Sequence, residues 1–236
     1  MDETNVLRRA KDWFETLELR MGFEEFTRLP RHPAYRYEYR NGHAVLTPCP
    51  AHIPVARSLT KDPLSAAPPS PAMSDLRIRQ LDEGDWEGLP AIFAAAFVRT
   101  APFDCMNSEQ RMRAAQLCIA RTRAGADGPL VAEASLVTYD PRADNTLLGA
   151  LIVTRVPQTY GSRHTARNTD RTLPHLTWIF VHPDLQRRGT GRALLEASCT
   201  QLRALGDTRL ASTFLIGNIN AMLWHWSEGF LLASKR

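Results

Sequence analysis

The twenty residues from Trp178 to Ala197, WIFVHPDLQRRGTGRALLEA, limit the fold more than any other stretch of the chain. An apolar run ends at Pro183, which has no N–H to extend a ladder. Gly189 and Gly191 follow with a single residue between them, and Leu194, Leu195, Ser198, Leu202 and Leu205 then recur at helical spacing. A strand, a glycine turn and a helix in this order belong to an α/β sheet. A helix N-terminus leaves amides unpaired and carries about half a positive charge. Glycines let an anion approach that backbone closely, and Arg187, Arg188 and Arg192 add charge. A diphosphate suits the turn. Charge-assisted hydrogen bonds of about 1.5–3 kcal/mol each outweigh the helix dipole's roughly 0.3–1 kcal/mol.

The rest of the main domain supplies the sheet. Strands are expected at 76–81, 130–139, 145–156, 175–181 and 210–216, with a short last strand in FLLAS. Helices are expected around Trp86–Phe97, at 108–123, after Gly191 and at 219–228. The order is β-α-α-β-β-β-α-β-α-β, a mixed α/β sheet without internal repeats. Four prolines in PLSAAPPSPAM exclude helix and mark an extended linker. The chain thus divides into an N-terminal extension (1–60), a linker (61–73) and a main domain (74–236). In the extension, Val6, Ala10, Trp13, Phe14 and Leu17 form one helical stripe. Tyr35, Tyr37 and Tyr39 alternate with charged residues before Asn41-Gly42, the signature of a β-hairpin. Sixty residues bury too little to stand alone, so this helix-plus-hairpin extension is expected to dock on the main domain.

Composition removes several classes of function. No apolar run reaches the roughly 18 residues of a membrane span, and MDETNVLRRAKDWFE is too charged for a secretory signal. Cys49, Cys105, Cys118 and Cys199 lie far apart, with no CxxC pair and no histidine at zinc spacing. They read as reduced cysteines of a cytoplasmic protein without a bound metal. Net charge is +4, and no aromatic–basic interleaving argues for nucleic acid. The glycine spacing fits neither GxGxxG nor GxxxxGK[ST].

Gln186-Arg187-Arg188-Gly189-Thr190-Gly191 resembles the pyrophosphate motif, Gln/Arg-x-x-Gly-x-Gly/Ala, of the GNAT superfamily of acetyl-CoA-dependent N-acetyltransferases. Val181-His182-Pro183 fits that family's strand-ending valine and proline. NINAMLWHWSEGF supplies its second signature in Asn218, Ala221 and the closing Gly229-Phe230. The resemblance covers about residues 74–236 and implies a mixed, mostly antiparallel sheet flanked by helices. It implies acetyl-CoA as co-substrate and no metal. The cofactor-binding residues would be Ile179, Phe180, Val181, Gln186, Arg187, Arg188, Gly189, Thr190, Gly191, Arg192 and Asn218. The implied reaction is direct attack by a small-molecule or peptide amine in a ternary complex, and a homodimer is compatible with it. A non-catalytic acyl-CoA-binding regulatory module is the alternative.

Catalytic roles are thinner. The family commonly places a tyrosine, as acid toward the departing thiolate, where this chain has His225. His175, opening the fourth strand, is the expected base, with Asp104 as runner-up. Arg163, His164, Arg167 and Arg171 make a basic loop between the third and fourth strands. The family continues for two strands past its Gly-Phe, whereas this chain ends six residues after Phe230. Residues 35–47 are therefore expected beside the C-terminal part of the sheet, covering an otherwise open edge.

Overall fold

The computed structural model describes residues 16–29, 31, 35–48, 52–60, 76–100, 102–157, 172–215 and 218–232. In chain order the elements are β1 (Leu17–Arg20), α1 (Phe23–Arg28), β2 (Tyr35–Arg40), β3 (His43–Pro48), β4 (His52–Ser58), β5 (Arg77–Gln80), α2 (Leu89–Ala96), α3 (Ser108–Arg123), β6 (Leu136–Asp140), β7 (Thr146–Pro157), β8 (Thr172–Val181), α4 (Thr190–Ala204), β9 (Arg209–Leu215), α5 (Ile219–Ser227) and β10 (Leu231–Leu232). Short 3₁₀ turns lie at Glu83–Glu87, Phe103–Cys105, Ala132–Ala134 and Pro183–Leu185. The Pro-rich linker, the basic loop and all of the N-terminal helical stripe except Leu17 fall outside the described residues. Leu17 itself is strand, its side chain buried in the alternating pattern of β1.

A seven-stranded sheet in the order β10-β4-β9-β8-β7-β6-β5 organises the protein. β5 to β8 form an antiparallel meander. β9 lies parallel to β8, a pairing that needs a crossover, and α4 provides it. The sheet is therefore mixed and mostly antiparallel, with helices on its faces, as expected. One face packs α4 through Leu194, Leu195, Cys199 and Leu202 against Leu151, Val153 and Leu210. The other face packs α2 and α3 through Leu89, Ile92, Phe93 and Ile119 against Val137, Ala150 and Ile152.

One expected strand breaks. LVAEASLVTY was expected as strand throughout, yet Ala132–Ala134 forms a 3₁₀ turn and β6 begins at Leu136. The Ser135 hydroxyl donates to the Val131 carbonyl (2.9 Å) and accepts from the Val153 amide (3.1 Å), a local alternative to ladder pairing.

The N-terminal residues occupy two places. The expected hairpin forms, with Asn41 and Gly42 at positive φ of 50° and 78°, and joins β1 in a separate sheet ordered β1-β3-β2. Leu17, Leu19, Phe26, Ala44 and Leu46 enter the core of α2 and α3, and Gln110 on α3 donates to Glu25 (2.9 Å). The hairpin is thus not beside the C-terminal part of the large sheet. That position belongs to β4, antiparallel to β9 from His52↔Leu215 to Ser58↔Arg209 and flanked by β10 on its other side. Pro54 hides this strand in the sequence, because proline is excluded from central strands. The described part of β10 pairs with Ala56 and Val55, and Pro54 lies opposite Thr213 of β9. Val55 is 1% exposed and packs in the α4 core. Arg57 reaches Glu196 of α4, and Arg203 donates to the Leu59 carbonyl (2.8 Å).

Candidate functional site

β8 and β9 pair only at His175↔Ala211 and Leu176↔Ser212, then separate. A bulge against β7 at Thr177 shifts the phase of β8, so Leu176 faces the α4 core while Trp178 and Phe180 face the α2 core. The His182 amide donates to the Leu148 carbonyl (2.7 Å). Antiparallel pairs alternate, so Phe180↔Ala150 is also a hydrogen-bonded pair, and the amides and carbonyls of Ile179 and Val181 face the opening toward β9. Of the three expected backbone contacts on β8, Ile179 and the Val181 amide are available, the Val181 carbonyl accepts from Gln186 and Phe180 is engaged with β7. Phe180 instead contributes a ring to the cluster around Phe93.

The glycine turn lies at the end of β8. Gly189 has φ +88°, a left-handed conformation that costs a residue with a Cβ about 1–2 kcal/mol. As N-cap of α4 it offers no side chain, so no cap side chain covers the first amides of the helix. Arg187 and Arg188 are exposed beside it and form no ion pair among the described residues. The Gln186 side chain folds back to the Val181 carbonyl (3.1 Å). Thr190 is buried, its hydroxyl 3.3 Å from the Leu185 carbonyl. Arg192 turns to the buried Glu228, its Nε 3.0 Å from each carboxylate oxygen, and so ties α4 to α5. A Cβ on Gly191 would meet nothing closer than Ile179 at 3.7 Å and Trp224 at 3.8 Å, so the protein itself leaves room there.

Where β8 and β9 part, a cleft of about 180 Å³ opens, lined by both strands, α3, α5 and the loop after α2. Asn218 lines it and caps α5, its Oδ1 accepting from the Ala221 amide (3.0 Å). His225 lines it too, enclosed by Phe214, Trp224 and Phe230. Burial pushes its pKa down to about 4. Its Nδ1 lies 2.7 Å from the Ala221 carbonyl, which can only accept, so Nδ1 carries the proton. Nε2 is then an acceptor for the Ser212 hydroxyl at 2.9 Å. The same hydroxyl is 3.3 Å from the Leu176 carbonyl, an alternative acceptor should Nε2 become protonated.

His175 lies behind the cleft, its Nδ1 3.3 Å from the Thr177 hydroxyl and its Nε2 3.5 Å from the Thr213 hydroxyl, both of which line it. It lines a second depression with Pro54, Thr172 and Asp207, on the side of β4. Burial, then the charge of His225, lowers its pKa to about 4. Asp104 is exposed on its 3₁₀ turn and is not among the residues lining the cleft.

Among the lining residues that escaped the sequence reading, three bear on the chemistry. Ser212 is one of two adjacent polar residues in LASTFLI, and nothing in the strand's alternation singles it out. Tyr35 belongs to the hairpin, whose docking site the sequence does not reveal. Asp127, in the loop after α3, is held by the Thr122 hydroxyl, which also accepts from Trp178 Nε1 (2.8 Å). The loop is pinned because Gly128, at φ +101°, lets its backbone lie against β7; a Cβ there would come within 2.2 Å of the Arg155 carbonyl oxygen. Burial raises the Asp127 pKa, against the Thr122 hydrogen bond and Arg121. Among the described residues no group of three His, Cys, Asp or Glu could hold a metal ion, and no helix is long and apolar enough to cross a membrane.

A family model described as Acetyltransferase (GNAT) family matches residues 98–227. No curated protein matches the chain. Similar solved structures include a GNAT family acetyltransferase from Brucella melitensis, solved with acetyl-CoA (21% identity, 62% of this chain and 80% of that one, TM-score 0.44). Another is the PaiA N-acetyltransferase of Thermoplasma acidophilum, solved with coenzyme A (15% identity, 64% and 87% covered, TM-score 0.45). A third is the ribosomal-protein-S18-alanine N-acetyltransferase of Escherichia coli (19% identity, 66% and 77% covered, TM-score 0.43).

Proposed function

The chain belongs to the acetyltransferase (GNAT) family, and from that premise we propose that it moves an acetyl group from acetyl-CoA to a primary amine by direct attack in a ternary complex. One observation carries the reading: the gap between β8 and β9 runs toward the uncapped, glycine-led mouth of α4. The residues present fit the coenzyme. The first amides of α4, with Arg187 and Arg188, suit a diphosphate. The outward backbone of Ile179 and Val181 suits an extended amide-bearing chain laid along β8 as an added strand. Gln186 and Arg192 support this surface through their bonds to Val181 and Glu228, and Asn218 fixes the start of α5 at its rim.

Bound acetyl-CoA supplies an activated thioester. The Ile179 or Val181 amide, facing the gap, can polarise its carbonyl, a role worth roughly 2.7–4 kcal/mol in other enzymes, and holding the amine beside it contributes proximity. The proton path runs inward. Ser212 donates to Nε2 of a neutral His225, which donates onward from Nδ1 to the Ala221 carbonyl. A proton leaving the amine can replace the one Ser212 passes to His225, and coenzyme A departs as the thiolate, which takes its proton from solvent. This polarity suits a proton acceptor at His225 rather than the acid suggested by its place in the sequence, and it makes no use of His175. Amine-dependent release of coenzyme A thiol from acetyl-CoA tests the proposal. Tight binding of acetyl-CoA with no thiol release across primary amines of every class would refute acetyl transfer and leave a binding module.

A further inference from the structure

We infer that the acceptor is a primary amine carried on an aromatic or otherwise apolar body, with Asp127 as the anchor for its ammonium group. This rests on the acetyl-transfer reading and narrows it to one substrate class. The cleft walls come from Leu17 and Tyr35 of the N-terminal sheet, Phe97 and Phe103 beside α2, and Trp178 of β8, with Asp127 among them. The rings form one packed group. Phe93 lies edge-on to Phe103 (5.2 Å) and Trp178 (5.0 Å), and Phe97 lies 5.6 Å from Phe103. A polyhydroxylated acceptor would lose its water against these walls without recovering hydrogen bonds, a cost of about 1–3 kcal/mol per unpaired group. An apolar body gains by the same burial.

Among the described residues, Asp127 is the one carboxylate of the lining. The pinned loop at Gly128 and the hydroxyl of Thr122 fix its position, and Thr122 is itself held by Trp178. The acid and the aromatic wall are thus one hydrogen-bonded unit. Burial raises the Asp127 pKa, and the Thr122 hydroxyl and Arg121, which also lines the cleft, oppose that shift. An ammonium held there pairs with the carboxylate while its body meets the rings, whose faces attract cations as well. The ammonium passes one proton to the carboxylate to become the nucleophilic amine, and the proton released on attack goes to Ser212 and His225. The N-terminal sheet thereby acquires a role in recognition, since Leu17 and Tyr35 close one side of the cleft.

The test is calorimetric binding to the full-length protein saturated with coenzyme A, using 2-phenylethylamine, its alcohol analogue 2-phenylethanol, and kanamycin. The amine is expected to bind at least about tenfold tighter than the alcohol and than kanamycin. Asp127→Asn should erase the preference for amine over alcohol, and Asp127→Glu should restore part of it. Equal affinity for amine and alcohol, tighter binding of kanamycin, or an undiminished preference in a folded Asp127→Asn protein would each overturn the inference. Should Asp127→Asn fail to fold, the amine–alcohol comparison on the unmodified protein decides alone. Tight amine binding without thiol release from acetyl-CoA would sink acetyl transfer while leaving this assignment of the cleft in place.

Discussion

Acidification from pH 7.5 to pH 5 should cost the fold about 4 kcal/mol, because two buried histidines must remain neutral to stay folded. His175 and His225 are 6% and 5% exposed, and each has its pKa lowered from 6.5 to about 4. Between those values the unfolded chain binds more protons than the folded one. The stabilisation is therefore fully present above about pH 6.5 and is lost as pH falls toward 4. At pH 5 each histidine accounts for about 2 kcal/mol, out of the roughly 5–15 kcal/mol a domain has in total. Asp127, whose pKa is raised, works in the opposite direction and softens the lower end of the window. Asp85 has its pKa lowered despite its burial, through hydrogen bonds from Arg79 and the Asp82 amide, and matters only at more acid pH. Urea unfolding followed by tryptophan fluorescence at pH 7.5, 6 and 5 reads the loss directly. His225→Gln and His175→Gln should each remove about half of the pH dependence. A wild-type stability flat across this range, or a pH dependence unchanged in both variants, would refute the reasoning.

Two further outcomes follow from the same geometry. Ser212→Ala should lower turnover by about 10²-fold or more while leaving the Kd for acetyl-CoA nearly unchanged; normal turnover would remove Ser212 from the proton path. Val55→Ala deletes two buried methyl groups from β4 and should cost about 2–3 kcal/mol, lowering Tm by about 4–10 °C. An unchanged Tm would mean that β4 is not seated in the sheet.

The main domain was legible because its signals are local. Hydrophobic periodicity places α3 at 108–123 and β7 and β8 to within a few residues. The strand–glycine–helix unit was equally plain, since Gly189 takes the left-handed conformation its place in the turn demands. The parts that were missed depend on distant pairings. β4, with Pro54 in its midst, is not read as a strand until β9 is seen beside it. Ser135 breaks a strand through bonds to Val131 and to Val153 on the neighbouring strand. The site followed the same division. The phosphate-type turn is contiguous in sequence, whereas the cleft gathers Tyr35, Asp127, Ser212 and His225 from four separate segments. His225 was found by its spacing from Gly229, but its protonation state depends on the rings and the serine around it. Arg192 shows the limit of reading charge alone, because its partner Glu228 lies 36 residues away.

Titration of acetyl-CoA into Gly191→Asp by calorimetry tests the central claim most directly. The substitution fits sterically, since a Cβ at this position meets only ordinary contacts, and it places a carboxylate at the mouth of α4. If diphosphate binds there, losing charge-assisted hydrogen bonds and adding repulsion should weaken binding by about 100-fold or more, with the protein's Tm nearly unchanged. A folded Gly191→Asp protein that binds acetyl-CoA with wild-type affinity would contradict the account.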